Sequence, residues 1–140
     1  MDKKVEPRGI RNNNPLNIRV GNNWQGEVTS KSDPVFEEFE TMQMGVRAGF
    51  KILKKYMTGY NGLTQKFNTI EKIIRRWAPE QENDVKAYID FVSKKTGIPS
   101  KQILSFDQRR MMVAIVDAMV QMECGKPIDV SIIESAYDLV

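Results

Sequence analysis

The segment from residue 107 to 124 constrains the fold most, because apolar residues occupy every side of the helix it is predicted to form. Asp107 is expected to cap this helix. Its apolar positions include Met111, Met112, Ile115, Val116, Met119 and Met122. A helix that is apolar all round must be buried. We therefore predict a central helix surrounded by the rest of the chain, with its methionines as core residues rather than as part of a cofactor site.

Other segments from about residue 44 onwards also show helical spacing of apolar residues, which predicts a bundle of about five helices. Cap and breaker residues set the predicted boundaries. The first of these helices is predicted over about 44–60 and ends at Asn61-Gly62, and the next begins at Thr69 and ends at Trp77. Asn83 and Gly97 flank a third helix, and Pro99–Leu104 is predicted to form a short helical turn. The last helix begins at Ser131-Ile132-Ile133-Glu134.

The first 42 residues lack helical spacing. Residues 1–7 are predicted to be a flexible arm, and residues 8–140 a single domain. The segments LNIRV and WQGEV flank Gly21-Asn22-Asn23, which is typical of a β-hairpin, and VFEEF is a third short strand or a turn of helix. The predicted fold class is mainly α, formally α+β, with a small irregular β-hairpin region near the N-terminus.

The composition of the 140-residue chain excludes several kinds of chemistry. Histidine is absent, which removes Ser-His-Asp triads, Cys-His nucleophiles and most zinc sites. Cys124 is the one cysteine, so the chain has no disulfide framework. No glycine-rich nucleotide-binding motif occurs. We expect no cofactor and no metal, and carboxylates are the simplest remaining source of acid/base chemistry.

The net charge of +3 is mildly basic, with acids and bases interleaved. Basic pairs such as Lys54-Lys55 and Arg75-Arg76 fall within predicted helices, which favours solvated helix faces over a nucleic-acid surface. No nucleic-acid partner is therefore expected. No apolar run reaches the roughly 18 residues that a membrane span needs, and MDKKVEPRGIR lacks the apolar core of a signal peptide. We expect a virion-associated protein, or a cytoplasmic one until its release to the cell wall.

The stretch RGIRNNNPLNIRVGNNWQG, residues 8–26, concentrates asparagines beside one tryptophan. One interpretation is a structural knot, because asparagine tolerates left-handed turns and its amide satisfies nearby backbone groups. The other is an amide-lined groove with Trp24 as an aromatic platform, which suits the hydroxyls, amides and flat faces of sugars. Both interpretations can hold at once.

The segments RGIRNNNPLNIR, WQG, DPVFEEFETMQMGVRA and TIEKIIRRWAPEQENDVKAYIDFVSKKTG closely resemble phage and prophage proteins often called virion structural proteins, which are thought to be lysozyme-like. The resemblance runs from about residue 8 to residue 135. The NN-x-x-N-I-x-x-x-x-x-W-x-G pattern is also similar to bacterial glucosaminidase and muramidase domains, where it lines the glycan cleft. The resemblance implies a peptidoglycan-binding groove built from Asn13, Asn14, Asn17 and Trp24.

Two departures accompany the resemblance. Leu16 stands where such loops usually carry glycine. Met122-Glu123-Cys124-Gly125 stands where the C-terminal helix of such proteins has His-Glu-Asn-Gly, so the glutamate and the glycine are kept while both polar neighbours are lost.

Glu123 is the predicted general acid. Lysozyme-like enzymes usually carry this glutamate on a helix before the asparagine-rich loop, where this sequence has only Glu6. Glu123 ends the most apolar predicted helix, and both the helix dipole and the apolar neighbours Met119 and Met122 should raise its pKa. We therefore hypothesise a chain that is circularly permuted relative to ordinary lysozymes, with the catalytic helix near its end.

Glu37, Glu38 and Glu40 are the alternative acids, although solvation or helix capping suits them better. Hydrolysis normally uses two carboxylates about 5–9.5 Å apart. A lytic transglycosylase needs one, because a hydroxyl of the substrate attacks and closes an anhydro ring. The sequence offers no second partner for Glu123, which favours transglycosylase chemistry.

Two hypotheses follow. The first is a phage-derived enzyme that cleaves peptidoglycan glycan strands, as a lytic transglycosylase or a muramidase-type glycosidase. The second is a non-catalytic virion or wall-binding protein on a lysozyme-like fold, with peptidoglycan or virion proteins as partners. Trp77, followed by Ala78-Pro79, is predicted to be a core residue that closes a loop rather than a ligand contact.

Overall fold

The computed structural model describes residues 6–59, 66–79 and 84–140, and this part of the chain is mainly helical. The described helices are α1 (Arg8–Arg11), α2 (Met42–Thr58), α3 (Ile70–Trp77), α4 (Val85–Thr96), α5 (Arg109–Cys124) and α6 (Val130–Asp138). The mainly α prediction is confirmed. The predicted roles of Asn61-Gly62 and Asn83, and most of the predicted arm, lie outside the described residues.

Helix α5 is the central element, as its apolar pattern predicted. Eight of its residues are buried, and Met112, Ile115 and Met119 are fully inaccessible to solvent. It packs against α4, α6 and α1, while α2 packs on α6 and α3 on α4. Burying a side chain of this size contributes about 1.5–3 kcal/mol. The end of α5 is therefore held firmly where the other elements meet.

Two predicted helix boundaries are confirmed by their caps. The Thr69 hydroxyl accepts a hydrogen bond from the Lys72 backbone N–H at 3.1 Å, which satisfies an otherwise unpaired donor at the start of α3. Gly97 ends α4 in the left-handed conformation, at φ 76°, where glycine is favoured.

Two other predicted caps are wrong. Asp107 does not cap α5, because its carboxylate is occupied by the Ser105 hydroxyl at 2.5 Å and the helix starts after Gln108 without a side-chain cap. Helix α6 starts one residue before Ser131, because Asp129 is its cap and accepts the Ser131 backbone N–H at 2.9 Å.

The predicted hairpin between LNIRV and WQGEV is also wrong. Both segments pair with residues 35–40 instead, through isolated antiparallel bridges between Arg19 and Phe36 and between Glu27 and Phe39. Residues 35–40 take the middle position because their alternate side chains, Glu37 and Phe39, are buried. Within the described residues this region has bridges but no extended strand. The short helix α1 was not predicted either.

Two glycines of α2 allow the asparagine-rich loop to lie directly on this helix. A Cβ atom at Gly45 would lie 1.9 Å from the backbone oxygen of Asn13, and one at Gly49 would lie 2.2 Å from a methyl group of Leu16. Leu16 is fully buried. The loop is thus fixed between α2 on one side and the end of α5 on the other.

Candidate functional site

The side-chain amides of Asn12, Asn13 and Asn14 have a structural role, but they bond to other residues of the irregular region rather than to the helices. The Asn14 amide donates to the backbone oxygens of Ile18 and Glu37 at 2.9 and 3.0 Å, and its oxygen accepts the Ile18 N–H at 3.0 Å. Asn13, at φ 52°, donates to the Phe39 oxygen at 3.0 Å. Asn14 is fully buried, so no ligand reaches it in this structure.

Asn17 brings the loop to Glu123. It adopts the left-handed conformation at φ 54°, which asparagine tolerates better than most residues. Its amide nitrogen donates to Glu123 Oε1 at 3.1 Å and lies 3.4 Å from the Glu123 backbone oxygen. Gly9 makes this approach possible, because a Cβ there would lie 2.8 Å from the Asn17 side-chain oxygen and 3.0 Å from Cys124 Sγ.

Three donors from three parts of the chain converge on the Glu123 carboxylate. Besides Asn17, the Tyr88 hydroxyl of α4 donates to Oε2 at 2.9 Å. The Trp77 side chain, at the end of α3, also lowers the pKa of this carboxylate, and indole can only donate. The carboxylate itself belongs to the last turn of α5, which Gly125 ends in the left-handed conformation at φ 75°. Glu123 is therefore a meeting point of the loop, α3, α4 and α5.

Burial raises the pKa of Glu123 above its ordinary value of 4.5, while the bonds from Asn17, Tyr88 and Trp77 lower it and only partly offset the effect. The pKa of Tyr88 is raised in turn, by burial and then by the negative carboxylate, so its hydroxyl stays protonated as a donor. Burial also raises the pKa of Cys124 to about 11, and its thiol donates to the Pro15 oxygen at 3.2 Å. Cys124 is therefore an unreactive thiol at neutral pH.

This arrangement can hold a proton on a carboxyl group above the usual pH range of a glutamate. Protonated Glu123 gains a donor, and the Tyr88 hydroxyl or a ligand atom can accept it, since a hydroxyl can both donate and accept. In the described part of the chain, no hydrogen bond of Glu123 involves another carboxylate. The hydrogen bonds of the site thus involve a single carboxylic acid.

The three alternative acids lie elsewhere. Glu37 is fully buried and bonds with Lys31 at 2.7 Å. Glu38 accepts the backbone N–H groups of Ser32 and Asp33, at 2.5 and 2.9 Å, and these bonds lower its pKa, which opposes a role as a proton donor. Glu40 is exposed, and its backbone N–H pairs with the Gly26 oxygen at 2.8 Å.

Trp24 lies in a different part of the molecule from the predicted asparagines. It lines a groove of about 620 Å³ together with Asn22, Lys51, Lys54, Lys55, Ile52, Tyr56 and Thr58. Tyr56 connects this groove to the carboxylate, because its ring packs edge-on against Trp77 with centroids 6.4 Å apart. The structure therefore divides the predicted substrate-binding residues: Asn17 lies at Glu123, Asn13 and Asn14 lie within the loop, and Trp24 lies in the groove.

Trp77 was interpreted from the sequence as a core residue that closes a loop, and the contact of Tyr88 with Glu123 was not predicted. Among the four buried residues of α4, Tyr88 is the one with a hydroxyl; the others are Val85, Ile89 and Val92. A buried tyrosine hydroxyl usually needs a hydrogen-bonding partner. That requirement was a usable signal, although nothing in the sequence indicates which partner satisfies it.

The described residues contain no group of three or more acidic, cysteine or histidine side chains that could hold a metal ion. Among the described helices, none combines the length and the apolar character that crossing a bilayer requires.

The chain is 48% identical over 122 residues to Protein P5 of Pseudoalteromonas phage PM2, and the match covers 84% of this chain and 71% of that protein. The chain therefore belongs to the family of this phage protein, which confirms the predicted relationship to phage proteins. No protein-family model matches the sequence. The lysozyme-like relationship stays a prediction.

Proposed function

We propose that this member of the phage Protein P5 family cleaves the glycan strands of peptidoglycan, with Glu123 as general acid. In this proposal the fold is lysozyme-like and circularly permuted, so that α5 takes the place of the early catalytic helix. The proposed reaction is that of a lytic transglycosylase, because it needs one carboxylate, whereas hydrolysis needs a second one about 5–9.5 Å away.

The observation that carries the proposal is the environment of the Glu123 carboxylate. It is half-buried, its pKa is raised by burial, and donors from three elements orient it. A general acid works best when its pKa lies near the working pH, and enzymes raise glutamate pKa values by burial for this purpose. Structural carboxylates that are hydrogen-bonded by several donors more often have a lowered pKa.

The proposed reaction uses one proton and one bond exchange. Protonated Glu123 donates its proton to the glycosidic oxygen as the bond from that oxygen to the sugar C1 breaks. The C6 hydroxyl of the same sugar forms a new bond to C1 and closes an anhydro ring. Its proton passes to the Glu123 carboxylate, which restores the acid. Asn17 and Tyr88 act as positioning residues that keep the carboxyl group in one orientation.

Digestion of purified peptidoglycan, with the products identified by mass, tests this proposal. The wild type is expected to release anhydro-muropeptides, and Glu123→Gln to release none. Glu40→Gln is the matched control, because it makes the same substitution at an exposed carboxylate. Circular dichroism and thermal unfolding verify that both variants fold.

Equal product release by wild type and Glu123→Gln would rule out Glu123 as the acid. Loss of activity in Glu40→Gln instead, or in the corresponding Glu37 or Glu38 variants, would transfer the role to that residue. Reducing-end products from the wild type would replace transglycosylase chemistry by hydrolysis.

A second candidate function is a non-catalytic virion component that binds other virion proteins or the cell wall. Its supporting observation is that both Glu123 oxygens already accept hydrogen bonds within the chain, so the residue also stabilises the junction of the loop with α4 and α5. Membership in a phage protein family fits this candidate as well. A wild type that releases no products at any pH, while sedimenting with peptidoglycan or with virions, would favour it.

A further inference from the structure

The groove that contains Trp24 has a strongly one-sided charge. Three exposed lysines from the second half of α2 line it: Lys51, Lys54 and Lys55. None of its described lining residues is acidic, and these lysines form no ion pair with a described residue. For a chain with a net charge of only +3, this concentrates positive potential in one concavity.

The floor of the same groove is apolar and aromatic. Ile52 and Trp24 are partly exposed there, and the buried Tyr56 closes one side. The Trp24 indole N–H is buried and has no acceptor among the described residues. Such a donor ordinarily has a partner, so this N–H is an unsatisfied buried group at the groove. An aromatic face beside the Asn22 amide suits the flat face and the hydroxyls of a sugar.

The Tyr56 ring, which closes one side of the groove, packs edge-on against Trp77 with ring centroids 6.4 Å apart. Trp77 in turn lowers the pKa of Glu123. Two packed aromatic side chains therefore separate the groove from the proposed acid.

We propose that this lysine groove binds a glycan that carries carboxylates, namely a peptidoglycan strand whose peptide stems present their acidic groups to Lys51, Lys54 and Lys55. The inference rests on the proposed function and adds how its substrate is recognised. Sugar rings lie against Trp24, while the lysines contact the carboxylates.

Nucleic acid fits the groove less well. Single-stranded nucleic acid is usually bound by several stacking aromatics, and phosphates are often held by the two-pronged guanidinium of arginine. The described lining offers one tryptophan at its surface and no arginine. Lysine, a compact and strongly hydrated charge, is adequate for carboxylates that hang flexibly from a glycan.

The test measures binding of soluble, peptide-bearing glycan fragments, released from peptidoglycan by a muramidase, to protein that carries Glu123→Gln. This background prevents turnover, so binding is measured independently of cleavage. Adding Lys51→Gln, Lys54→Gln and Lys55→Gln is expected to weaken binding by about tenfold, the combined effect of three exposed charge contacts. Adding Lys72→Gln, Lys86→Gln and Lys101→Gln instead removes the same charge at exposed lysines outside the groove and should leave binding unchanged.

Three further probes discriminate the ligand class. The same fragments with their carboxylates converted to amides, and a neutral chito-oligosaccharide, should both bind more weakly than the native fragments. Equal binding of native and amidated fragments, or equal losses in the two lysine variants, would overturn the inference. Tighter, lysine-dependent binding of a single-stranded oligonucleotide would overturn it in favour of nucleic acid. If the fragments bind through the groove lysines but the wild type releases no products, the recognition holds and the proposed cleavage fails.

Discussion

Two opposing effects meet at the Glu123 carboxylate. Burial disfavours its charged form, while hydrogen bonds from Asn17, Tyr88 and Trp77 favour it, and burial is the larger effect. Protonation of Glu123 removes the cost of burying a charge, but it also weakens the hydrogen bonds that the carboxylate accepts. The raised pKa keeps the proton on Glu123 to higher pH than on an ordinary glutamate, which is the direction that a proton donor needs.

This balance predicts how pH affects stability. Because the folded pKa lies above the ordinary value of 4.5, folded protein keeps the Glu123 proton at pH values where the unfolded chain has lost it. The contribution of Glu123 to the free energy of unfolding therefore decreases as pH rises from about 4.5 through the folded pKa, and then stays constant. Glu123→Gln should gain stability relative to the wild type across this window, by about 1.4 kcal/mol for each pH unit between the two pKa values.

Urea unfolding of the wild type, Glu123→Gln and Glu40→Gln at several pH values from about 4 to 8 measures this difference. Glu40→Gln is the control for the substitution itself, because it is made at an exposed carboxylate. If the free energy of unfolding of Glu123→Gln, relative to the wild type, stayed constant or fell as pH rises, the raised pKa would be contradicted.

The sequence allowed Glu123 to be selected, because it ends an apolar helix just before a glycine. The direction of its pKa change follows from the same reasoning. Its partners could not be predicted, since Asn17 is 106 positions away and Tyr88 is 35 positions away along the chain. Contacts at such separations depend on how whole helices pack, and no local pattern encodes them.

At the scale of elements, the contact between α2 and the asparagine-rich loop positions the site. Gly45 and Gly49 let the loop backbone and Leu16 approach the helix, and the loop in turn carries Asn17 to the end of α5. Both contacts exist because glycine has no Cβ atom, but the two glycines face different neighbours. Gly45 faces a backbone oxygen, whereas Gly49 faces the end of a leucine side chain.

This difference predicts unequal effects of two matched substitutions. Gly45→Ala should reduce the free energy of unfolding by about 1–3 kcal/mol, because the Asn13 carbonyl cannot move without displacing the loop. Gly49→Ala should cost less, because the Leu16 methyl group can rotate and alanine favours a helix by about 1 kcal/mol over glycine. Chemical denaturation of both variants checks the order, and a larger loss for Gly49→Ala would refute this description of the contact.

Helix positions were largely predictable from the spacing of apolar residues, and their ends were less so. Thr69 and Gly97 act as predicted because each has a single local role. Asp107 and Ser131 do not, because neighbouring polar residues compete for the same hydrogen bonds and Asp129 precedes Ser131. The hairpin failed for a related reason. Turn residues at 21–23 indicate a reversal of the chain, but the burial of Glu37 and Phe39 decides which segments pair.

At the scale of the whole molecule, the mainly helical class and the central position of α5 were predictable, because a helix that is apolar all round must be buried. The groove was not predictable, since it joins Trp24 from the irregular region with lysines of α2 that the sequence presents as an ordinary solvated face. The proposed enzyme has its acid at the junction of four elements and its recognition surface along α2. A substitution that removes the acid should leave glycan binding largely intact, and a substitution in the recognition surface should leave the acid largely intact.

The pH dependence of kcat/KM for muropeptide release, compared between wild type and Tyr88→Phe, tests the role of Glu123 as general acid most directly. The account predicts that the rate falls as pH rises through the Glu123 pKa, because the proton donor is lost. In Tyr88→Phe the fall should move to higher pH, because the removed hydroxyl stabilises the charged carboxylate while the ring keeps its packing. The account would be contradicted if kcat/KM did not fall with rising pH in the wild type, or if it fell at the same pH in the wild type and in Tyr88→Phe.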